Sequence, residues 1–90
     1  LLNLEKLNVS NNRLITFPEG MSKLIQLKEL DLSSNRLEIL TPELTGLLNL
    51  EKLNLSNNFF DTLPEGMSKL IQLKELDLSG NKLQKLPQVL

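Results

Sequence analysis

One pattern returns every 23 residues along this chain, and it constrains the fold more than any other feature. The stretch SKLIQLKELDLS at residues 22–33 recurs unchanged at residues 68–79, two periods later. An offset of 23 residues superposes three apolar columns without a slip: Leu4, Leu27, Leu50 and Leu73; Leu7, Leu30, Leu53 and Leu76; Val9, Leu32, Leu55 and Leu78. A fixed period of this length predicts like units that stack side by side and bury a shared core.

An asparagine accompanies the apolar columns in every unit, at Asn12, Asn35, Asn58 and Asn81. A further apolar position follows it, at Leu14, Leu37, Phe60 and Leu83, so each unit reads L-x-x-L-x-L-x-x-N-x-L. This pattern resembles the leucine-rich repeat family, in its 23-residue type with an L-P pair after the asparagine. The resemblance implies an α/β fold: a leucine-rich repeat right-handed solenoid with a parallel β-sheet on its concave face. It also implies short 3₁₀, helical or irregular segments on the convex face.

The residues themselves favour the same arrangement. The alternation Leu30, Asp31, Leu32 predicts a short strand whose leucines point inward and whose Glu29 and Asp31 point outward. One such strand cannot bury its leucines alone, so parallel strands of successive units are expected to pair in register. An inward asparagine can satisfy backbone groups that the following turn leaves unpaired, and the four asparagines are therefore predicted to form a structural ladder.

The segment after each asparagine is predicted to form the outer side of the unit. Proline follows an apolar residue at Pro18, Pro64 and Pro87, whereas in the second unit it is displaced by one residue to Pro42. Proline cannot donate to a sheet ladder and therefore suits an outer segment. Apolar residues three positions apart, as at Met21 and Leu24, predict one helical or 3₁₀ turn there.

The whole chain, residues 1–90, is predicted to be a single array of about four repeats. A partial unit takes residues 1–3, full units take residues 4–26, 27–49 and 50–72, and a shorter unit takes residues 73–90. No polar capping repeat is recognisable at either end of the array. We therefore expect either a fragment of a longer array or open ends that stack on other copies.

Composition narrows the function. The chain contains no His and no Cys, so zinc sites and the usual acid-base or thiol nucleophile arrangements lack their central residues. Ten basic and eleven acidic residues leave a net charge of −1 without a run of like charge, which predicts no nucleic acid and no membrane as partners. We expect no catalysis, no cofactor and no metal, and a concave pocket of several hundred Å³ with convergent polar groups would be needed to favour an enzyme.

The resemblance places function on the outward side chains of the sheet. The candidate partner-binding residues are Lys6, Asn8, Glu29, Asp31, Lys52, Asn54, Glu75 and Asp77. The alternative is that charges of alternating sign neutralise one another, keep the sheet soluble and contribute about 0–1 kcal/mol per exposed pair. This alternative is favoured because binding hot spots are rich in Trp, Tyr and Arg, which these columns lack.

Two apolar features lie off the strands. Phe59 takes a position that Arg13, Arg36 and Lys82 hold in the other units, so it is a candidate anchor for a partner, unless it folds back or is simply exposed. A further apolar column could form a lateral contact edge, but we expect it to be partly buried under the adjoining turn. It consists of Leu2, Ile25, Leu48 and Ile71.

The predicted function is a non-catalytic module for protein-protein interaction or scaffolding. The alternative is a structural building block, a natural fragment or an engineered one, that self-associates into homo-oligomers by stacking its uncapped ends. The absence of cysteine and of a signal peptide, together with the resemblance to the L-P type of repeat, predicts a cytoplasmic protein.

Overall fold

The computed structural model describes residues 3–84, and in this range the chain winds through four similar coils. Each coil contributes one strand of three residues: β1 (Lys6–Asn8), β2 (Glu29–Asp31), β3 (Lys52–Asn54) and β4 (Glu75–Asp77). The strands form one parallel sheet in chain order, and Leu7, Leu30, Leu53 and Leu76 lie opposite one another. The predicted parallel pairing at an offset of 23 residues is confirmed. We number the coils 1 to 4 by the strand that each contains.

Short 3₁₀ helices form the outer side of coils 1 to 3. They are η1 (Met21–Lys23), η2 (Pro42–Gly46) and η3 (Glu65–Lys69), which confirms the predicted short helical turns. The displaced Pro42 opens η2, a position where its missing N–H is not needed. Since η2 and η3 have the same length at the same point of their units, the displacement leaves the outer segment in register. Pro87 lies outside the described residues.

The core is a column of aliphatic side chains between the sheet and the 3₁₀ helices. Leu30 and Leu53 are each 2% exposed, so they lie on the same inner surface. The leucines of coils 1 and 4, such as Leu7 and Leu76, pack against this core but are only partly buried. Side chains without any exposed area come from the two middle coils: Leu27, Leu32, Leu37, Leu44, Leu47, Leu50, Leu55 and Phe60.

Asparagine side chains connect each coil to the one before it. The amide oxygen of Asn58 accepts from the Leu37 N–H at 3.1 Å, and its nitrogen donates to the Leu32 and Leu55 carbonyls at 2.9 and 3.1 Å. Asn35 and Asn81 make equivalent bonds to the preceding coil. Within residues 3–84 the nitrogen of Asn12 donates to two carbonyls of its own coil, those of residues 9 and 10. Three of the four asparagines therefore satisfy backbone groups of two coils at once.

The turn after each strand uses a left-handed backbone residue at the same point of every unit. These residues are Asn11, Ser34, Asn57 and Gly80, with φ between 55° and 69°. Asparagine and glycine adopt this conformation readily, whereas serine does so less often. The left-handed residue lets the chain leave the sheet edge at the same angle in each coil.

Candidate functional site

The outward side chains of the four strands line an open depression on the concave face of the sheet. Its volume is about 780 Å³. The strand leucines contribute to its lining, and so do all eight candidate partner-binding residues. These eight are Lys6, Asn8, Glu29, Asp31, Lys52, Asn54, Glu75 and Asp77. The structure therefore brings the whole set together on one surface.

Ion pairs join the charged residues of this surface in two blocks. They connect Lys6 to Glu29 at 3.5 Å, Lys28 to Glu5 at 3.7 Å, Lys52 to Glu75 at 3.6 Å and Lys74 to Glu51 at 3.8 Å. These pairs link coil 1 to coil 2 and coil 3 to coil 4. Among residues 3–84 none links coil 2 to coil 3, although Glu29 and Lys52 are opposite in the register. Lys52 lies between Glu29 and Glu75 in the register, whereas Lys6, in the edge strand β1, lies opposite Glu29. Pairing in two blocks gives each of the eight charges one partner.

The next polar column is engaged in the turns. The side-chain oxygen of Asp31 accepts from both the N–H and the hydroxyl of Ser33, at 2.9 and 2.6 Å. Asn8, Asn54 and Asp77 accept from the serine two residues later in the same way. Hydrogen bonds from the Ser79 hydroxyl, and then from its N–H, hold the pKa of Asp77 below its ordinary value of 3.8. Asp77 is therefore ionised at neutral pH and cannot act as a general acid.

The depression reaches the size that would favour an enzyme, but its polar groups do not converge on a reacting centre. Its glutamates pair with lysines, and its aspartates accept hydrogen bonds from serines. No group of three or more acidic, histidine or cysteine residues that could hold a metal ion occurs within residues 3–84. The depression is an open surface of paired charges and hydrogen-bonded polar side chains.

A second surface, which we name the loop edge, runs along the loops that follow the strands and consists of Arg13, Arg36, Phe59 and Lys82. Backbone bonds hold these residues in a column: Arg36 N–H donates to the Leu14 carbonyl at 2.8 Å, Phe59 N–H to the Leu37 carbonyl at 2.8 Å, and Lys82 N–H to the Phe60 carbonyl at 2.9 Å. All four side chains of the loop edge are exposed.

Phe59 does not fold into the core. Its side chain is 46% exposed, whereas the neighbouring Phe60 is fully buried. The Lys82 ammonium lies 5.4 Å from the centre of the Phe59 ring, within the range of a cation-π contact. The exposed ring does not fold back into the core, and its role as an anchor for a partner stays a prediction.

The apolar column that includes Ile25, Leu48 and Ile71 is more exposed than expected. These side chains are 59%, 52% and 85% exposed, so the prediction of partial burial under the adjoining turn is wrong for them. Leu24, Leu47 and Leu70, one position earlier, pack on the core instead. Leu2 lies outside the described residues. Ile15 and Ile39, which the repeat pattern does not single out, are also exposed. No helix within residues 3–84 is both long enough and apolar enough to cross a membrane.

Two family models match this chain. The model described as "Leucine rich repeat" matches residues 27–83, and the model described as "Leucine Rich repeats (2 copies)" matches residues 2–47. The first match covers more than half of the chain. No curated protein gives a significant sequence match.

Solved structures of repeat proteins superpose on the chain. A leucine-rich repeat protein of Leptospira interrogans is 45% identical with a TM-score of 0.91, over 93% of this chain and 21% of that one. Human 5T4, a trophoblast glycoprotein, is 30% identical with a TM-score of 0.69, over 90% of this chain and 31% of that one.

The ectodomain of the receptor kinase GASSHO1/SCHENGEN3 from Arabidopsis thaliana was solved in complex with CASPARIAN STRIP INTEGRITY FACTOR 2. It is 28% identical with a TM-score of 0.60, over 87% of this chain and 13% of that one. The chain thus spans between 13% and 31% of the length of these three structures.

Proposed function

Since this chain belongs to the leucine-rich repeat family, we propose that it is a non-catalytic module that binds another protein through its concave face. The observation that carries the proposal is that eight outward polar residues line one open depression. The complex formed by the Arabidopsis ectodomain supports protein binding as a use of this fold.

The charges of the concave face determine which partner would fit it. The four ion pairs cancel in pairs, and each exposed pair contributes only about 0–1 kcal/mol, so a partner can replace it without a large loss. Asp31 and Asp77 have no lysine partner among these pairs and leave the depression acidic. We therefore propose a partner that presents basic or hydrogen-bond-donating side chains to the centre of the sheet.

The sequence provides a substitution that changes only this charge. Asn8 and Asn54 occupy the same column as the two aspartates and make the same bonds to serine. The double variant Asp31→Asn/Asp77→Asn should therefore keep the turns and the fold while it removes the acidic excess. With a partner isolated on the wild-type chain, we expect this variant to bind about tenfold more weakly or worse, which calorimetry would measure.

The matched control is Glu43→Gln/Glu65→Gln, which removes two exposed carboxylates of η2 and η3 away from the depression. It should bind the partner with wild-type affinity. Equal affinity of the wild type and the double aspartate variant would overturn the acidic concave site. Equal losses in the control and in the double variant would show a non-specific effect of charge.

Self-association is the alternative function, and the partial exposure of the end coils favours it. Leu7 and Leu76 are only partly buried, whereas their equivalents Leu30 and Leu53 are 2% exposed. A second copy that stacks on either end would cover these leucines. Light scattering after size exclusion would then give a mass that rises with concentration, whereas the monomer mass at every concentration would exclude stacking.

The repeat boundaries at residues 4–26, 27–49, 50–72 and 73–90 are part of the proposal, as is the cytoplasmic location. The Arabidopsis neighbour is an ectodomain, so the comparison does not favour the cytoplasm. Microscopy of a fluorescent fusion of the full-length protein would test the location directly.

A further inference from the structure

We propose that the loop edge, Arg13, Arg36, Phe59 and Lys82, binds a short acidic segment of a protein partner that also carries an apolar side chain. The site is separate from the concave face, and the inference rests on the proposed function only in that the ligand belongs to a protein.

Within residues 3–84 the cations of the loop edge form no ion pair with a carboxylate. The ion pairs found within residues 3–84 use Lys6, Lys28, Lys52 and Lys74 of the concave face. Arg13, Arg36 and Lys82 take part in none of them, and all three are exposed. Among the residues that the structure describes, the lysines of the concave face are paired with carboxylates and the cations of the loop edge are not. Arginine in addition presents a planar fork that matches a carboxylate.

The spacing of the loop edge suits an extended segment. Backbone bonds join the column from coil to coil, and neighbouring parallel strands lie about 4.8 Å apart, so the four positions span about 14 Å. An extended polypeptide rises about 3.3 Å per residue and covers this span with about four to five residues. Carboxylates at alternate positions of such a segment point to one side and can reach successive cations of the column.

Phe59 explains why the segment needs an apolar side chain. The ring replaces a cation in the third coil and is 46% exposed, although Phe60 already fills the core at this level. Lys82 lies over the ring at 5.4 Å and leaves part of its surface open. Aromatic and arginine side chains in one patch have the composition of binding hot spots. This composition is missing from the concave columns.

Two nearby carboxylates favour a short segment over a nucleic acid. Glu38 and Asp61 are exposed and follow Arg36 and Phe59 by two residues. A long polyanion that ran past the column would meet them, and the chain as a whole carries a net charge of −1. A short segment with two or three carboxylates and an apolar side chain meets less of this repulsion than a polyanion that carries a charge on every unit.

The test is an NMR titration of the isotopically labelled chain with the synthetic six-residue peptide Glu-Ser-Glu-Ser-Leu-Ser, whose glutamates and leucine, at alternate positions, point to the same side of an extended segment. We expect shift changes at the amides of Arg13, Arg36, Phe59 and Lys82, and unchanged amides at Leu30 and Leu53. The triple variant Arg13→Gln/Arg36→Gln/Lys82→Gln should weaken binding about tenfold or more, and Phe59→Ala about threefold or more. Binding should also weaken as salt is added.

The matched control is Lys23→Gln/Lys69→Gln, which removes two exposed lysines of the outer side and should leave peptide binding unchanged. Several outcomes would overturn the proposal: no shift with the peptide, equal binding of a peptide with glutamine in place of glutamate, an equal loss in the control, or tighter binding of a single-stranded oligonucleotide. Thermal melts of each variant verify that it is folded.

The same titration separates this proposal from that of the concave face. The variant Asp31→Asn/Asp77→Asn should bind the acidic peptide as well as the wild type does. If the peptide binds while this variant retains its partner, the loop edge stands and the concave site fails. If the peptide does not bind while the variant loses its partner, the reverse holds.

Discussion

Residues 22–33 and 68–79 have the same sequence and different surroundings. In the first copy Leu30 and Leu32 are 2% and 0% exposed, whereas their copies Leu76 and Leu78 are only partly buried. The exposure of Ile25 is 59% and that of its copy is 85%. β2 has a strand on each side, and β4 has only β3 beside it in the part of the chain that the structure describes. Identical residues thus differ in burial because burial depends on the neighbouring coil.

The largest expected effect comes from truncating the strand leucine in each copy. Leu30→Ala should lower the free energy of unfolding by about 2–5 kcal/mol, since it removes a buried side chain and leaves a cavity between two coils. Leu76→Ala should cost less, because part of that side chain is already in contact with water. Urea denaturation of both variants measures the difference. Equal costs would show that burial in the sheet does not decide the stability of a coil.

The asparagines offer the next contrast between inner and outer coils. Asn58→Ala should cost about 1–3 kcal/mol, because the buried Leu37 N–H loses its acceptor and the Leu32 and Leu55 carbonyls each lose one of two asparagine donors. Asn12→Ala should cost less, since Asn12 is exposed and donates within one coil. Thermal unfolding of the two variants provides the measurement. A larger loss at Asn12 would contradict the role of the amide as a link between coils.

Loss of an ion pair should lower the free energy of unfolding by a similar amount in the two copies. Lys28 pairs with Glu5 at 3.7 Å, and its copy Lys74 pairs with Glu51 at 3.8 Å. Both pairs are exposed, so Lys28→Gln and Lys74→Gln should each cost no more than about 1 kcal/mol and should lose this effect in about 1 M salt. Lys23→Gln, at an exposed lysine without such a pair, is the control in the same denaturation series. A cost at Lys28 that survives high salt would indicate a contribution from packing.

The smallest effect concerns Asp77, the aspartate of the second copy. Because Ser79 lowers the pKa of Asp77 in the folded chain, this carboxylate adds stability above pH 3.8, and the contribution is lost as the pH falls through the folded pKa. A carbon-detected NMR titration should give a midpoint below 3.8 for Asp77. Ser79→Ala should raise that midpoint, whereas Ser68→Ala, on the outer side of the coil, should not change it. A midpoint unaffected by Ser79→Ala would assign the shift to another cause.

The sequence predicts the features that repeat in every coil. The strand register, the inward leucines and the outer 3₁₀ turns all depend on residue spacing, and spacing can be read without coordinates. The eight outward candidate residues meet on one face for the same reason. A period of 23 residues fixes the face on which each side chain lies.

Features that residue spacing does not determine could not be predicted. Lys52 can pair with Glu29 or Glu75, and only the coordinates show that it pairs with Glu75. The exposure of Ile25 was missed because an apolar residue next to a core leucine does not reveal whether its turn covers it. The left-handed conformation of Ser34 was missed as well, since serine signals it less clearly than the asparagine or glycine at the same point of other coils.

The agreement of the register between all coils has a consequence for growth of the array. The sequence of residues 22–33 and 68–79 forms a strand both between two neighbouring strands, as β2, and beside one, as β4. Insertion of a further 46-residue pair would therefore need no new kind of contact, only another copy of the bonds that already join β2 to β3. Length in such a molecule can change by gene duplication while every existing coil keeps its shape.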